Sequence, residues 1–554
     1  MKRYRVTSIL FCIATFFFLL ILAPTSAKAS EGERRMAELP IVIIIPSYNN
    51  KDFYKSNLDS IFMQDYENYR VIYINDASTD KTGQLVQEYI QKQKQAHRVT
   101  LINNKCNKGV MANHYTAVHM CQDHEIIINL DGDDWFKHEK VLQRINEAYQ
   151  DPDVWLTYGQ YEELHYNKQQ KKLFTKKGHC VQIPPNIIRA HAYREDKWVV
   201  SHLRTFYAGL FKQIKLQDFL DNGKFYQAAC DVAFIMPMLE MVKGKFKFID
   251  EILYTYNCTS SLNLYKTKLQ RQLHNQHVIR AKEKYKPLKT PYKQEINNKD
   301  IDIIIIAQDS PAHLYALLES IALYLSGTKN IYVLHNHNSH NSQDSKEIQD
   351  IKHDFSHITY VQYDDLKTSL EEVLQSSDST YIMLAKENII IKNFVNLQTC
   401  VDLMEQTYAH GFYLSLGKNI ERNSALCRKQ HIPPHSEIKP GIYAWQFQDG
   451  EHDWRNPNNL LMTLYKKEAV TKYLKDMQYN SCISLENNCN KQIFDMQQVG
   501  LCFAESKAVA LAATEPAELY NSSMKIDITP IFLLKNSSTL LKNNLKFNKR
   551  EIGN

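Results

Sequence analysis

At 554 residues the chain is too long for one ordinary hydrophobic core, so two or three domains are expected. Its composition is globular, 44% hydrophobic and 23% charged, and a formal net charge of +6 is small for that length. No basic block with interleaved aromatics stands out, which argues against a nucleic-acid partner.

Residues 1–5 are basic, residues 9–23 are apolar, and residues 24–29 end in Ala27-Lys28-Ala29. A basic start, an apolar stretch and a small-residue cleavage site predict a signal peptide over residues 1–29. An apolar run of about fifteen residues is short for a membrane-spanning helix. The expected destination is therefore the extracytoplasmic or secretory route. The alternative is an uncleaved anchor through residues 9–23, with membrane association. The 11 cysteines are scattered without a Cys-x-x-Cys pair, so no zinc site is expected, and disulfide pairing stays open.

From residue 40 the pattern alternates. Residues 40–45 read as a fully apolar strand that stops at Pro46-Ser47-Tyr48-Asn49-Asn50. Residues 51–64 have helical spacing of Phe53, Leu58 and Ile61. Residues 69–74 form a second strand ending in Asn75-Asp76-Ala77-Ser78-Thr79-Asp80, where Asp80 can cap the helix over residues 81–92. A strand over residues 98–102, a polar loop to Gly109 and a helix over residues 110–121 follow. The strand over residues 126–130 then ends in Asp131-Gly132-Asp133-Asp134. Such alternation predicts a parallel α/β sheet whose ligands sit at the carboxyl ends of the strands, where all these polar loops lie. If strand geometry persists, Asp131 and Asp133 project to one side, where a divalent cation would relieve their repulsion. An acidic turn after a strand is the plainer alternative.

The stretches Ile-Ile-Ile-Pro-Ser-Tyr-Asn (43–49), Ile-Asn-Asp-Ala-Ser-Thr-Asp (74–80) and Asn-Leu-Asp-Gly-Asp-Asp-Trp (129–135) resemble, in this order and spacing, a family 2 glycosyltransferase with the GT-A fold. The resemblance covers about residues 39–265. It implies a nucleotide-sugar donor, with a UDP-sugar favoured, a divalent Mn2+ or Mg2+, and inversion at the anomeric carbon. It also implies a carbohydrate or glycolipid acceptor. Mapped by motif, Pro46, Tyr48 and Asn49 line the nucleotide pocket and Asp76 holds base or ribose. Asp131 and Asp133 handle ribose, diphosphate and metal, with Asp133 the direct metal ligand. The loop after the third strand departs from the family. It reads Met111-Ala112-Asn113, with no arginine where members often carry Ala-Arg-Asn.

Downstream, residues 162–177 read as an exposed loop or hairpin. The stretch Gln227-Ala228-Ala229-Cys230-Asp231 enters a helix over residues 232–241. Asp231 sits where the family places its catalytic base, and a helix N-cap is the alternative reading. His202 and Arg204 can reach phosphate or acceptor, or simply pack. The stretch Leu-Tyr-Thr-Tyr-Asn (253–257) resembles the family's end-of-domain segment. Residues 266–300 read as one basic, exposed helix and a linker.

Residues 301–515 repeat the order of elements and predict a second, degenerate GT-A-like domain. By sequence, Asp131 is matched with Ala385, Gly132 with Lys386, Asp133 with Glu387 and Asp134 with Asn388, so a metal-dependent site there is not expected. Tyr443, Trp445, Phe447 and Trp454 fit a sugar platform or a small core equally. Residues 516–554 read as a polar tail. A non-catalytic carbohydrate-binding adaptor and a nucleotidyltransferase are the competing functional readings. Sequence does not set the oligomeric state.

Overall fold

Strand β1 (Ile41–Ser47) is buried along its whole length. A strand with no polar face is stable only inside a sheet covered on both sides, and that decides its place. In the computed structural model it pairs in parallel with β2 (Tyr69–Asn75), which pairs in parallel with β3 (Val99–Asn103). On its other side β1 pairs in parallel with β4 (Ile126–Asn129). The crossovers are α1 (Tyr54–Phe62), α2 (Thr82–Lys92) and α3 (Val110–His119). The structure describes residues 36–260, 269–292, 298–308, 310–336, 342–423, 428–489 and 494–511.

Beyond β4 the chain runs through β5 (Trp135–Phe136), α4 (Val141–Tyr149), β6 (Leu156–Asn167), β7 (Lys172–Lys177), α5 (Pro185–Ala190), β8 (Thr205–Tyr207) and α6 (Ala208–Phe211). The small hairpin β9 (Leu220–Asp221) and β10 (Lys224–Phe225), the helix α7 (Cys230–Val242) and the long strand β11 (Phe246–Asn257) complete this half. The sheet order is β3-β2-β1-β4-β8-β6-β11-β5, with β7 on β6. This is the mixed, mostly parallel α/β winding that the sequence predicts for a GT-A fold. It brings the loops after β1, β2, β3 and β4 to one edge.

The second half has a sheet of its own. Strands Thr359–Tyr363, Asn330–Asn336, Ile301–Ala307 and Tyr381–Lys386 lie side by side in parallel, followed by antiparallel Leu461–Lys466, then Gly411–Tyr413 and its parallel neighbour Val499–Phe503. That is the order and direction of β3, β2, β1, β4, β8, β6 and β11. The short strand Ile389–Ile391 pairs antiparallel with Ala508–Ala510, as β5 does with β11.

The pairing registers correct the residue-by-residue match. Ile126 donates its N–H to the Pro40 carbonyl, and Tyr381 donates its own to Asp300. Counting from those bonds, Asp131 corresponds to Lys386, Gly132 to Glu387 and Asp133 to Asn388. The sequence match was one residue out, because β-branched runs carry no internal phase marker. Neither acid of the first half is kept. Lys386 instead pairs with Glu486 at 2.9 Å, and Glu387 accepts the backbone N–H groups of Gln308 and Ser310.

The aromatic group is core. Trp445, Phe447 and Trp454 are fully buried, and Trp445 Nε1 donates to the Trp454 carbonyl. The basic linker is strapped down rather than free. Helix Leu269–Ala281 buries Asn275 and Ile279, Leu288 N donates to Met241, and Tyr285 N donates to Glu240. Glu240 is itself held by Arg194 at 2.6 and 2.9 Å. From Pro40 onward the described residues belong to one compact unit. Within it, Gly223 of the β9–β10 hairpin bonds Gln446 and Ser436 of the second half. None of the described helices is long and apolar enough to cross a membrane. The signal peptide expected at residues 1–29 and the polar tail expected at residues 516–554 lie outside the described residues.

Candidate functional site

The loops after β1 and β2 are stitched together. Asn49, at φ 54°, accepts from Thr79 N at 2.8 Å and donates its own N–H to Ser78 Oγ. Asn50 N donates to Thr82 Oγ1, and Asp80 receives both Lys51 N and Thr82 N. The cap of α2 is Lys81, at φ 71°, so Asp80 holds the first helical N–H from one residue outside the cap position expected for it. Pro46 is buried within β1, whereas Tyr48 is 41% exposed and free to cover a ligand. Asp76 is buried, and its carboxylate accepts Asn104 Nδ2, Lys108 N and Gly109 N at 2.8–2.9 Å. In this structure Asp76 shapes the entry to α3, a role the motif does not reveal.

The acid turn sits on this platform. Asn57 of α1 donates to the Asp131 and Asp134 carbonyls at 3.0 and 2.7 Å, fixing the turn's backbone. Gly132 is obligatory by contact, since a Cβ there would lie 2.7 Å from both Ser47 Oγ and Asn50 Nδ2. Asp134 turns inward, fully buried, and accepts Tyr254 Oη at 2.6 Å and Asn257 N at 2.7 Å. This explains the 253–257 segment: its tyrosine and asparagine anchor the turn. Asp131 and Asp133 stay half-exposed. Burial first, then the neighbouring Asp133 charge, pushes the Asp131 carboxyl up to about 6. Burial also raises Asp133, although a hydrogen bond from Ser260 opposes it. Among the described residues neither acid has a salt-bridge partner. Two crowded hard oxygen donors suit Mg2+ or Mn2+.

Asp231, whose charge reaches Asp131, lies in the first turn of α7. The helix cap is Ala229, at φ 55°, so the N-cap reading of Asp231 does not hold. The Asp231 carboxylate accepts Arg204 Nη1 at 2.6 Å, with the Arg204 side chain only 8% exposed. The Asp231 and Asp131 charges keep Arg204 ionised against the cost of burial. Arg204 is thus a fixed cation whose charge acts on both Asp231 and the acid turn. It stands in the neighbourhood where the loop after β3 lacks its arginine.

Two histidines, His114 buried and His202 half-buried, lie beside this arginine. His202 stacks on Tyr254 with ring centroids 4.3 Å apart, and burial followed by the Arg204 charge drives its pKa far down. His114 of α3 falls to about 3 for the same two reasons. Both are neutral at any physiological pH. Near the site several buried polar atoms have no hydrogen-bond partner among the described residues: Asn129 Oδ1 and Nδ2, Arg204 Nε, Asn113 Nδ2 and His114 Nδ1. Such atoms normally find partners, and a polar ligand would supply them. Asn57, His114 and Asn129 were not legible as site residues. Their only signal is a polar side chain on an otherwise apolar face.

Residues 42–215 match the family described as Glycosyl transferase family 2. The chain is 23% identical over 226 residues to Glycosyltransferase GlyA of Streptococcus pneumoniae, covering 39% of this chain and 30% of GlyA. It is 27% identical over 132 residues to UDP-Glc:alpha-D-GlcNAc-diphosphoundecaprenol beta-1,3-glucosyltransferase WfgD of Escherichia coli, covering 24% of this chain and 49% of that protein. It therefore spans a third to a half of these relatives' own length. The crystal structure of S. aureus TarS 1-349 with UDP-GlcNAc aligns with a TM-score of 0.33 at 14% identity, over 44% of this chain and 65% of that one. With its three ordered loops on one sheet edge, the segment 42–215 is a Glycosyl transferase family 2 domain.

Proposed function

We propose that the first half transfers a sugar, with inversion, from a nucleoside-diphosphate-sugar donor to a hydroxyl of a glycan or glycolipid acceptor. A UDP-sugar is the favoured donor. The observation that carries this reading is a group of acids gathered around one buried cation. Among the described residues Asp131 and Asp133 form no ion pair, and Asp231, whose charge reaches Asp131, holds Arg204 at 2.6 Å. The family match and the unpartnered Asn129 and Arg204 atoms support it.

In a single displacement the acceptor oxygen bonds the anomeric carbon as the carbon–diphosphate bond breaks. The diphosphate leaves with the bonding pair. The acceptor hydroxyl proton must go to a base on the far side of that carbon. Asp231 suits this task. One of its oxygens is tied to Arg204, which fixes the carboxylate's orientation, and its side chain is 30% exposed. Arg204 is a preorganised cation for the charge that grows on the diphosphate, and it needs no rearrangement to act. Asp131 and Asp133 would hold Mn2+ or Mg2+, which when bound supplies further neutralisation of the leaving group. Tyr48, exposed on the β1 loop, closes over the nucleotide base. His114 and His202, neutral beside Arg204, leave its charge undivided.

We infer that the second half is a duplicated copy that has lost its own site. The Asp131 and Asp133 positions are Lys386 and Asn388. At the Gly132 position, the Glu387 carboxylate occupies the loop amides of Gln308 and Ser310. Its contribution is support: through Gly223 it buttresses the hairpin that leads into Asp231.

The test is release of nucleoside diphosphate from a panel of nucleotide sugars with Mn2+ or Mg2+. Wild type releases it from at least one donor, and Asp133→Ala does not. Unchanged turnover in Asp133→Ala removes the metal role. Nucleotide rather than sugar appearing on the acceptor removes the glycosyl-transfer reading.

A further inference from the structure

The outer part of the β6–β11 pair carries a second group of chemically active side chains. Glu163 and His165 alternate on β6 and so share one face of the sheet. Strand β11 runs parallel to β6, with Tyr256 beside Glu163 and Asn257 beside Leu164. Just past the strand end, Cys258 donates its N–H to the Leu164 carbonyl at 2.9 Å. This continues the register by one residue and brings Cys258 alongside Glu163 and His165. One donor atom from each of the three lies within 4.8 Å of the other two, and no other such group of three occurs among the described residues. His165 Nε2 and Glu163 Oε2 are already 3.0 Å apart. Phe174 of β7 stacks on the imidazole at 5.3 Å and 17°, which sets its plane. All three residues are partly exposed, so an ion can reach them.

We propose that Glu163, His165 and Cys258 form a site for a borderline divalent ion of the Zn2+ type, separate from the acid turn. A carboxylate, an imidazole and a thiolate together are too soft a set for Mg2+ and match zinc chemistry. A tetrahedral ion with bonds of about 2.0–2.3 Å needs donors about 3.3–3.8 Å apart, which small rotations of these side chains reach. Binding removes the thiol proton of Cys258 and replaces the His165–Glu163 hydrogen bond with two metal bonds. The fourth position stays open to water. Sequence spacing concealed the site, because its ligands are joined by strand pairing and not by a short motif.

The site has a structural consequence. Cys258 follows Asn257, whose N–H holds Asp134, and precedes Ser260, which bonds Asp133. An ion on Cys258 pins the segment that anchors the acid turn to β6.

The test is Co2+ titration of the whole metal-stripped protein, read by absorption. Wild type takes one equivalent with a thiolate-to-cobalt charge-transfer band and tetrahedral visible bands. Zn2+ then bleaches both. The double variant Asp131→Asn/Asp133→Asn keeps the bands. Cys258→Ser loses the charge-transfer band, and His165→Gln weakens Co2+ binding at least tenfold. Should Cys258→Ser fail to fold, Glu163→Gln, the mildest change in shape, weakens Co2+ binding while keeping the thiolate band, and unchanged affinity in it overturns the proposal. Absence of the thiolate band in wild type, or its survival in folded Cys258→Ser, overturns the proposal.

Discussion

Removing the imidazole of His114 should make the protein less sensitive to acid. The ring is 4% exposed, packs 5.7 Å from Phe234 and lies beside the Arg204 charge. Burial and that charge lower its pKa from 6.5 to about 3. Between those values the unfolded chain binds a proton at this residue and the folded chain does not. Stability from the neutral form is therefore complete above pH 6.5 and is lost as pH falls toward 3. At pH 5 the loss is about 1.5 units at 1.36 kcal/mol each, about 2 kcal/mol. For a chain of this size that lowers the melting temperature by about 2 °C. The assay is denaturant unfolding of wild type and His114→Gln at pH 7.5 and pH 5. The variant is less stable at pH 7.5 because it loses ring packing. However, between the two pH values it should lose about 2 kcal/mol less than wild type. His202 and His410 are also depressed, so a slope remains in both proteins and only the difference is diagnostic. Equal slopes would refute the electrostatic account of the rim.

Three further outcomes follow from the contacts. Asp231→Asn should lower transfer by about 10²–10⁴-fold with little change in donor affinity, measured as kcat against KM, because it removes proton acceptance while keeping shape. Gly132→Ala should cost about 1–3 kcal/mol in stability and weaken nucleotide binding, read by calorimetry, since its methyl group meets Ser47 and Asn50 at 2.7 Å. Lys386→Ala, at the position matching Asp131 in the second half, should leave turnover within about twofold of wild type. Among the described residues the ion pair it removes is the partly exposed one with Glu486, worth about 0–1 kcal/mol.

The sequence by itself determined the winding of the first half. Apolar β-branched runs such as Ile41–Ser47 have no polar face, and only a doubly covered parallel sheet accommodates them. It also determined which loops meet, because strand ends fall on one edge whatever the packing details. Even the hairpin over residues 162–177 and the order of strands in the second half were legible as patterns.

Tertiary structure decided what each acid faces. Asp131, Asp133 and Asp134 look alike in sequence, yet Asp134 is an anchor because Tyr254 and Asn257 return from more than a hundred residues away. Asp76 turns to the amides of Lys108 and Gly109, and Asp231 to Arg204. The one-residue error in matching the halves has the same origin: a uniform apolar strand records its period but not its register, and register is set by hydrogen bonds to a neighbour. Local chemistry fixes which elements form, whereas the partner of a side chain depends on strands brought together only when the sheet closes.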